Sequence, residues 1–234
     1  GRVFVNETAE QLMNARETAA ALARPAPAAE NIPIAVSARH VHLAREAVDA
    51  LFGAGYELTP GTPLRQPGHW AAQERVTLEG PKGRLDRVAI LGPLRKRTQI
   101  EVSRTDSFAL GIDVPVRDSG QLDGTPVLSI IGPAGSFRTD GLIIAARHIH
   151  TNPADATRLG LEDGEYVDVR VGAGDRGLTF ARTLVRIGAD SFTEMHIDTD
   201  EANAAGIRPG VDGGIVILHE SAEGGPPLVL QRTP

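Results

Sequence analysis

The stretch Ser37-Ala-Arg-His-Val-His42 returns later in the chain as Ala145-Ala-Arg-His-Ile-His150. These two copies contain four of the seven histidines of the protein. Each copy follows an apolar run of strand-forming residues, and residues two apart on a strand point to the same face. Each copy therefore presents two imidazoles side by side, and imidazole is the commonest protein ligand for zinc and similar metals. The repeat predicts two equivalent halves.

A second repeated spacing gives each half a third candidate ligand. Glu101 lies ten residues before Gly111-Ile112, and His196 lies ten residues before Gly206-Ile207. Three protein ligands leave one coordination position open, as in catalytic zinc sites, whereas structural zinc sites are closed by four. The two predicted ligand sets are His40, His42 and Glu101 in the first half and His148, His150 and His196 in the second. A lone His-x-His is more often a surface pair or a packed core pair, but two copies with matched third ligands favour metal binding.

Each half also carries an arginine before its third ligand, Arg95 in the first and Arg186 in the second. Guanidinium groups bind phosphate in bidentate fashion, so an arginine beside a metal pair indicates an anionic substrate. If the halves face each other, two metals in one cleft would stabilise charge on both sides of a reacting group. The alternative for Arg95 is a solvated basic run with Lys96 and Arg97, and Ser119 by itself is typical of a turn.

Composition favours short strands joined by turns. The 234 residues include 26 glycines and 16 prolines, only 4% are aromatic, and 41% are hydrophobic. There is no cysteine, which excludes disulfides, thiolate metal sites and a cysteine nucleophile. The net charge of −6 does not indicate the basic surface that nucleic-acid binding requires, and no apolar run approaches the length of a membrane span.

The hydrophobic pattern divides the chain into three parts. Residues 5–23 predict an amphipathic helix, followed by a Pro/Ala linker, and residues 1–31 form the first part. The first half, residues 32–139, and the second half, residues 140–234, are predicted as two domains. We expect a mainly β protein made of two β-barrel domains related by internal duplication, with short helices. Strands are predicted at 75–78, 87–90, 98–103, 125–131, 166–171, 178–187, 193–197, 215–219 and 228–231, and helices at 44–52 and after the Asn152-Pro153 start signal.

Together, the motifs resemble those of the PduL-type phosphotransacylases (phosphate propanoyltransferases). The resemblance covers residues 32–215 and depends on the two His-x-His copies, Gln66-Pro-Gly68, Gly92-Pro-Leu-Arg95 and Thr98-Gln-Ile-Glu101. It implies two β-barrel domains, two zinc ions between them, and the reaction acyl-CoA + phosphate ⇌ acyl phosphate + CoA. Propanoyl-CoA or a similar short-chain thioester is the implied substrate, as in propanediol metabolism.

The resemblance also implies roles for individual residues. The two ligand sets would each hold a zinc ion, and Arg95 would bind phosphate. Arg95 and Ser37 are the expected cofactor-binding residues. CoA itself takes part in the reaction as substrate and product. The expected active-site residues are Arg95, Arg186, Gln99, Gln66 and Ser119. His69 departs from the family pattern, which has Gln or Glu at this position.

Family members housed in bacterial microcompartments often carry an N-terminal encapsulation helix, which residues 1–31 resemble. The resemblance therefore implies a cytoplasmic enzyme inside a microcompartment, with shell or core proteins as partners and a homo-oligomer as an open alternative. From the net charge and the lack of a long apolar run we expect no nucleic-acid or membrane partner. Two other functions use the same residues. One is a dizinc thioesterase or phosphoesterase with water as nucleophile, and the other is a metal-stabilised interaction module without activity.

Overall fold

The computed structural model describes residues 32–171 and 176–207, together with the backbone of 215–219. Strands dominate this part of the chain, which confirms the mainly β class. The elements of the first half are β1 (Ile34–Ser37), β2 (His40–His42), α1 (Arg45–Phe52), β3 (Pro60–Pro63), β4 (Trp70–Glu79), β5 (Arg84–Gly92), β6 (Gln99–Glu101), α2 (Arg104–Leu110), β7 (Val116–Arg117), β8 (Leu128–Ile131) and β9 (Ser136–Thr139).

The second half contains a shorter series of elements. These are β10 (Leu142–Ala145), β11 (His148–Thr151), α3 (Pro153–Leu159), β12 (Tyr166–Val171), β13 (Leu178–Ile187), β14 (Glu194–Asp198), α4 (Thr199–Ala204) and β15 (Ile215–His219). None of the helices within 32–171 and 176–207 is long and apolar enough to cross a bilayer.

The strands form two sheets. The first sheet has nine strands in the order β7-β10-β6-β2-β5-β4-β8-β9, with β3 paired to β4. The second has six strands in the order β1-β14-β11-β13-β12-β15. Each sheet packs its own apolar core, one centred on Ile90, Ile100 and Ile130 and the other on Ile149, Val185 and Met195, all of which are buried.

The two sheets share one pattern of strand pairing around the histidine motifs. In the first, β2 pairs parallel to β5 and antiparallel to β6. In the second, β11 pairs parallel to β13 and antiparallel to β14. Even a backbone irregularity recurs, because Arg87 in β5 and Arg182 in β13 both have positive φ, 57° and 54°. The sequence repeat therefore corresponds to a repeat of structure, while closure of each sheet into a barrel stays a prediction.

The halves exchange one strand each. Strand β1, from the first half, pairs parallel to β14 in the second sheet. Strand β10, from the second half, pairs parallel to both β6 and β7 in the first sheet. Each exchanged strand runs directly into the histidine motif of its own half, so the connection between the sheets passes beside both motifs. The predicted boundary between residues 139 and 140 stays a prediction.

The local predictions found most of the elements, but several bounds differ: β4 and β5 are longer than the predicted 75–78 and 87–90, and β6 and β8 are shorter than the predicted 98–103 and 125–131. Helix α1 covers most of the predicted 44–52, and α3 begins with Asn152 as N-cap and Pro153 in its first turn. Strands β12, β13 and β15 have the predicted bounds. The short strands β3, β7 and β9 have no counterpart among the predictions. The predicted helix at 5–23, the linker after it and the strand at 228–231 lie outside the described residues.

Candidate active site

The first predicted ligand set comes together on two neighbouring antiparallel strands. The register of β2 and β6 places His40 opposite Glu101 and His42 opposite Gln99. His40 Nε2 lies 3.5 Å from Glu101 Oε2, and His42 Nε2 lies 3.9 Å from Glu101 Oε1. One potential ligand atom from each of the three side chains lies within 4.8 Å of the other two. Two imidazoles and a carboxylate at this separation suit a divalent metal such as zinc.

Burial and charge determine the protonation of this set. Burial lowers the pKa of His40, but the charge of Glu101 and the hydrogen bonds to Glu101 and to the Ala38 carbonyl together outweigh burial, so the pKa of His40 is raised overall. Burial raises the pKa of Glu101, but the two neighbouring histidines reverse this and hold it well below its usual range. Burial and the neighbouring His40 lower the pKa of His42 to about 3. The buried carboxylate of Glu101 therefore favours a positive charge beside it, which a divalent cation would supply.

The second set repeats this strand pairing with a histidine in place of the glutamate, although among the described residues only the first set brings three ligand atoms within 4.8 Å of one another. The register of β11 and β14 places His148 opposite His196 and His150 opposite Glu194. The three ring centroids are 4.7–5.0 Å apart, and His148 Nε2 lies 3.1 Å from His150 Nε2. Burial and the nearby rings lower the pKa of His148 to about 3 and that of His150 to about 4. Both are neutral at physiological pH, as metal-binding imidazoles must be.

Backbone contacts orient the first histidine of each pair in the same way. The Nδ1 of His40 lies 2.9 Å from the Ala38 carbonyl oxygen, and the Nδ1 of His148 lies 2.9 Å from the Ala146 carbonyl oxygen. A carbonyl only accepts, so Nδ1 carries the hydrogen and, in the neutral ring, Nε2 keeps its lone pair. The ring nitrogen of His40 that faces Glu101 and that of His148 that faces His150 are therefore the ones able to bind a metal.

The two predicted arginines lie close enough together to influence each other. Burial lowers the pKa of Arg95, the charge of Glu101 raises it, and the charge of Arg186 lowers it again. Arg95 Nη1 donates to Ser119 Oγ at 3.3 Å, and Arg186 Nη2 lies 3.7 Å from Asp118 Oδ1. Two partly buried guanidinium groups from opposite halves form a concentration of positive charge suited to a compact anion.

Gln99 connects this arginine region to the first ligand set. Its Nε2 donates to Glu101 Oε1 at 2.5 Å and to Ser119 Oγ at 2.8 Å, and its Oε1 accepts from the Gly120 backbone N–H. Gln99 is almost completely buried. It therefore orients Glu101 and Ser119, and both of its amide N–H donors are already used in these contacts.

The arginine of each motif anchors the helix that follows the third ligand. Arg39 binds Asp106 in bidentate fashion, at 3.1 and 2.7 Å, and Arg147 Nε lies 2.5 Å from Glu201 Oε1. Asp106 and Glu201 are the third residues of α2 and α4, and each also completes the capping box at the start of its helix. Ser103 and Asp198 are the N-caps of these two capping boxes. Arg39 and Arg147 thus connect each histidine motif to the helix that follows the third candidate ligand.

One cleft of about 800 Å³ reaches both ligand sets. Its walls come from both halves, and the predicted residues that line it are Ser37, His40, His42, Gln66, Arg95, Glu101, Ser119, His148, His150, Arg186 and His196. Gln99 is the one predicted site residue that lies behind this wall rather than in it. His69 also lines the cleft, and its Nδ1 lies 3.1 Å from the Pro67 carbonyl oxygen. A cleft of this size accommodates a substrate of cofactor size.

Sequence reasoning missed Glu194, a buried carboxylate in the same cleft. Its Oε1 accepts from His196 Nε2 at 3.0 Å and from Gln66 Nε2 at 2.8 Å. Burial raises the pKa of Glu194, but these two hydrogen bonds bring it below its usual value. The signal was present in the repeat, since Gln99 and Glu194 each lie two residues before a third ligand on the same strand face.

Comparison with known proteins places the chain in a family. Residues 33–208 match the family model described as phosphate propanoyltransferase. Proteins of that name from Thermotoga maritima and Rhodopseudomonas palustris are both 55% identical to this chain, over 76% and 74% of it and 86% and 76% of their own lengths. The Listeria monocytogenes protein of that name is 50% identical over 79% of this chain and 87% of its own length. With its paired histidine motifs, facing arginines and shared cleft, the chain belongs to the phosphate propanoyltransferase family.

Proposed function

We propose that this protein interconverts acyl-CoA and phosphate with acyl phosphate and CoA, with a short-chain thioester such as propanoyl-CoA as substrate and two zinc ions as cofactors. The observation that carries the proposal is the single cleft in which two three-residue donor sets and two arginines from opposite halves converge. The family to which the chain belongs supports the same reaction.

The arginines would bind and orient the phosphate nucleophile. Arg95 and Arg186 come from opposite halves, and Ser119 and Asp118 contact them from the loop after β7. Holding phosphate beside the thioester carbonyl converts a bimolecular attack into a step within one complex, which lowers the entropic barrier. The sequence contains no cysteine, so no thiol of the enzyme can carry the acyl group. Direct attack of phosphate on the thioester is therefore the favoured route.

Both donor sets suit zinc by their chemistry, since neutral imidazoles and a carboxylate are its usual nitrogen and oxygen ligands. When bound there, zinc would supply Lewis-acid polarisation of the thioester carbonyl and stabilisation of the CoA thiolate. His40, His42 and Glu101 would hold one ion, and His148, His150 and His196 the other. Apolar residues of the cleft wall, including Ile34, Val36 and Leu91, would keep water away from the reacting atoms.

The test is CoA release from propanoyl-CoA, followed with a thiol reagent on protein of measured zinc content. We expect release that requires phosphate, is lost after chelation and returns with added zinc. The absence of cysteine keeps the protein silent in this assay. Release without phosphate would instead identify a thioesterase, and zinc binding without any release would favour the interaction module.

The N-terminal segment carries a separate proposal, that residues 1–31 dock the enzyme to shell or core proteins of a bacterial microcompartment. The amphipathic pattern of residues 5–23 and the following linker support it. Residues 1–31 fused to a fluorescent protein should co-purify with microcompartments when the two are produced together. A fusion that stays wholly outside them would refute this docking role.

A further inference from the structure

We propose that Glu194 is a positioning residue that fixes the His196 ring, and that Gln66 holds Glu194 in place from the opposite half of the chain. The proposal deepens the function proposed above and depends on His196 acting as a metal ligand. It assigns a role to a buried carboxylate that neither donor set contains.

The geometry around Glu194 fits an orienting group. The residue is 2% exposed on β14, two positions before His196 on the same strand face. A carboxylate only accepts, so the 3.0 Å contact with His196 Nε2 places the ring hydrogen on that nitrogen. This contact limits rotation of the imidazole and selects its tautomer, as carboxylates do behind metal-bound histidines in many proteins.

Gln66 fixes the carboxylate from the other side. Its Nε2 donates to Glu194 Oε1 at 2.8 Å and to the Phe192 carbonyl oxygen at 2.9 Å, while its Oε1 accepts from the Phe192 backbone N–H at 3.2 Å. The amide thus uses both its oxygen and its nitrogen on the segment that leads into β14. Gln66 belongs to the loop between β3 and β4 in the first half, so this contact joins the two halves beside the second ligand set.

The first half carries the complementary pair at the equivalent positions. Gln99 lies opposite His42 and donates to the third ligand Glu101, whereas Glu194 lies opposite His150 and accepts from the third ligand His196. A carboxylate ligand needs a donor behind it, and an imidazole ligand needs an acceptor. The side chain behind the third ligand therefore changes together with the ligand, which a purely space-filling role would not require.

The experiment compares zinc affinity in the wild-type protein, Glu194→Gln and Glu74→Gln, using competition with a chromophoric chelator. Glu74 is a suitable control because it is a hydrogen-bonded carboxylate on β4 that does not line the cleft. We expect two zinc ions in the wild type and the control. In Glu194→Gln we expect one ion to bind about 10- to 100-fold more weakly and the other to be unchanged.

A second measurement tests the proposal even if Glu194→Gln does not fold or the wild type binds no zinc. Imidazole nitrogen NMR of the metal-free wild type should show the His196 hydrogen on Nε2, and Glu194→Asp, if folded, should shift this signal. Unchanged zinc affinity in Glu194→Gln, or a His196 hydrogen on Nδ1, would overturn the proposal. The number of zinc ions bound by the wild type tests the proposed function separately. The inference about Glu194 concerns only two other quantities, the zinc affinity of Glu194→Gln relative to the wild type and the tautomer of His196.

Discussion

At the scale of single residues, the histidine motifs carry two kinds of group. The histidines line the cleft, and the arginine before them contacts the helix that follows the third candidate ligand. The same contact occurs in both halves, between Arg39 and Asp106 and between Arg147 and Glu201. Each motif thus contains two candidate ligands and a connection to the helix that follows the third candidate ligand.

Loss of the Arg39 contact should therefore destabilise the protein. Arg39→Ala leaves the buried carboxylate of Asp106 without its cation, and we expect the free energy of unfolding to fall by about 1–3 kcal/mol. In a chain of this size each kcal/mol lowers the melting temperature by about 2–4 °C, which thermal unfolding measures. Arg84→Ala is the control, because the Arg84–Glu79 pair is exposed and worth about 0–1 kcal/mol. Equal losses in the two variants would contradict the anchoring role.

Arg95 allows a test of phosphate recognition. Arg95→Lys keeps the positive charge but loses the planar fork that binds phosphate through two hydrogen bonds. A charged hydrogen bond contributes about 1.5–3 kcal/mol, so the KM for phosphate should rise about tenfold or more. Steady-state kinetics at varied phosphate concentration measures this, and the KM for the thioester should change much less. An unchanged KM for phosphate would remove Arg95 from the binding site.

At the scale of elements, each third ligand lies on a short strand that passes directly into a capped helix. Strand β6 ends at Glu101 and α2 begins at Arg104, and β14 passes from His196 through Asp198 into α4. The capping boxes satisfy the free N–H groups at the start of these short helices. The helix start and the ligand are therefore fixed together.

Ser103→Ala should weaken this connection. The variant loses the hydroxyl that accepts from the Asp106 N–H, and loss of an N-cap costs about 1 kcal/mol. We expect lower stability in chemical denaturation together with weaker zinc binding at the Glu101 set. Ser136→Ala, at an exposed position of β9, should change neither quantity. Full zinc affinity in a destabilised Ser103→Ala protein would show that the cap and the ligand are independent.

Signals that are local in sequence predicted where helices and strands lie better than which distant segments they contact. Hydrophobic alternation and the Asn152 cap depend on neighbours in sequence, and the strands β12 and β13 and the helix start predicted from them are confirmed. Strand β3, with the sequence Pro-Gly-Thr-Pro, was missed because proline and glycine are unfavourable in strands. It is a strand because it pairs with β4. The contact of Gln66 with Glu194 spans 128 positions, so no local pattern indicates it.

At the scale of the whole molecule, the exchange of β1 and β10 joins the two sheets beside the strands that carry Glu101 and His196. Strand β14 receives β1 on one side and β11 on the other, while β6 lies between β10 and β2. Both third ligands thus lie on strands held by an exchanged neighbour. Thr105 of α2 also donates its backbone N–H to Asp200 of α4 at 2.8 Å, a further contact between the halves.

The halves should therefore fail to fold alone. Residues 32–139 lack β10, which pairs with β6 and β7, and residues 140–234 lack β1, which pairs with β14. We expect each fragment to be largely unfolded by circular dichroism, and the two to recover β structure and zinc binding when mixed. The intact chain should unfold in one transition. Cooperative unfolding of either isolated fragment would show that the exchanged strands are dispensable.

The strand exchange also bears on how two unlike centres came to share one cleft. Two identical half-length chains arranged around a twofold axis could swap their first strands and bury the same two histidine pairs. Every substitution in such a homodimer would occur in both centres at once. A single polypeptide is free of that constraint, so one candidate centre can have Glu101 with Gln99 and the other His196 with Glu194. One chain thus permits a difference between the two candidate centres that a symmetric assembly forbids.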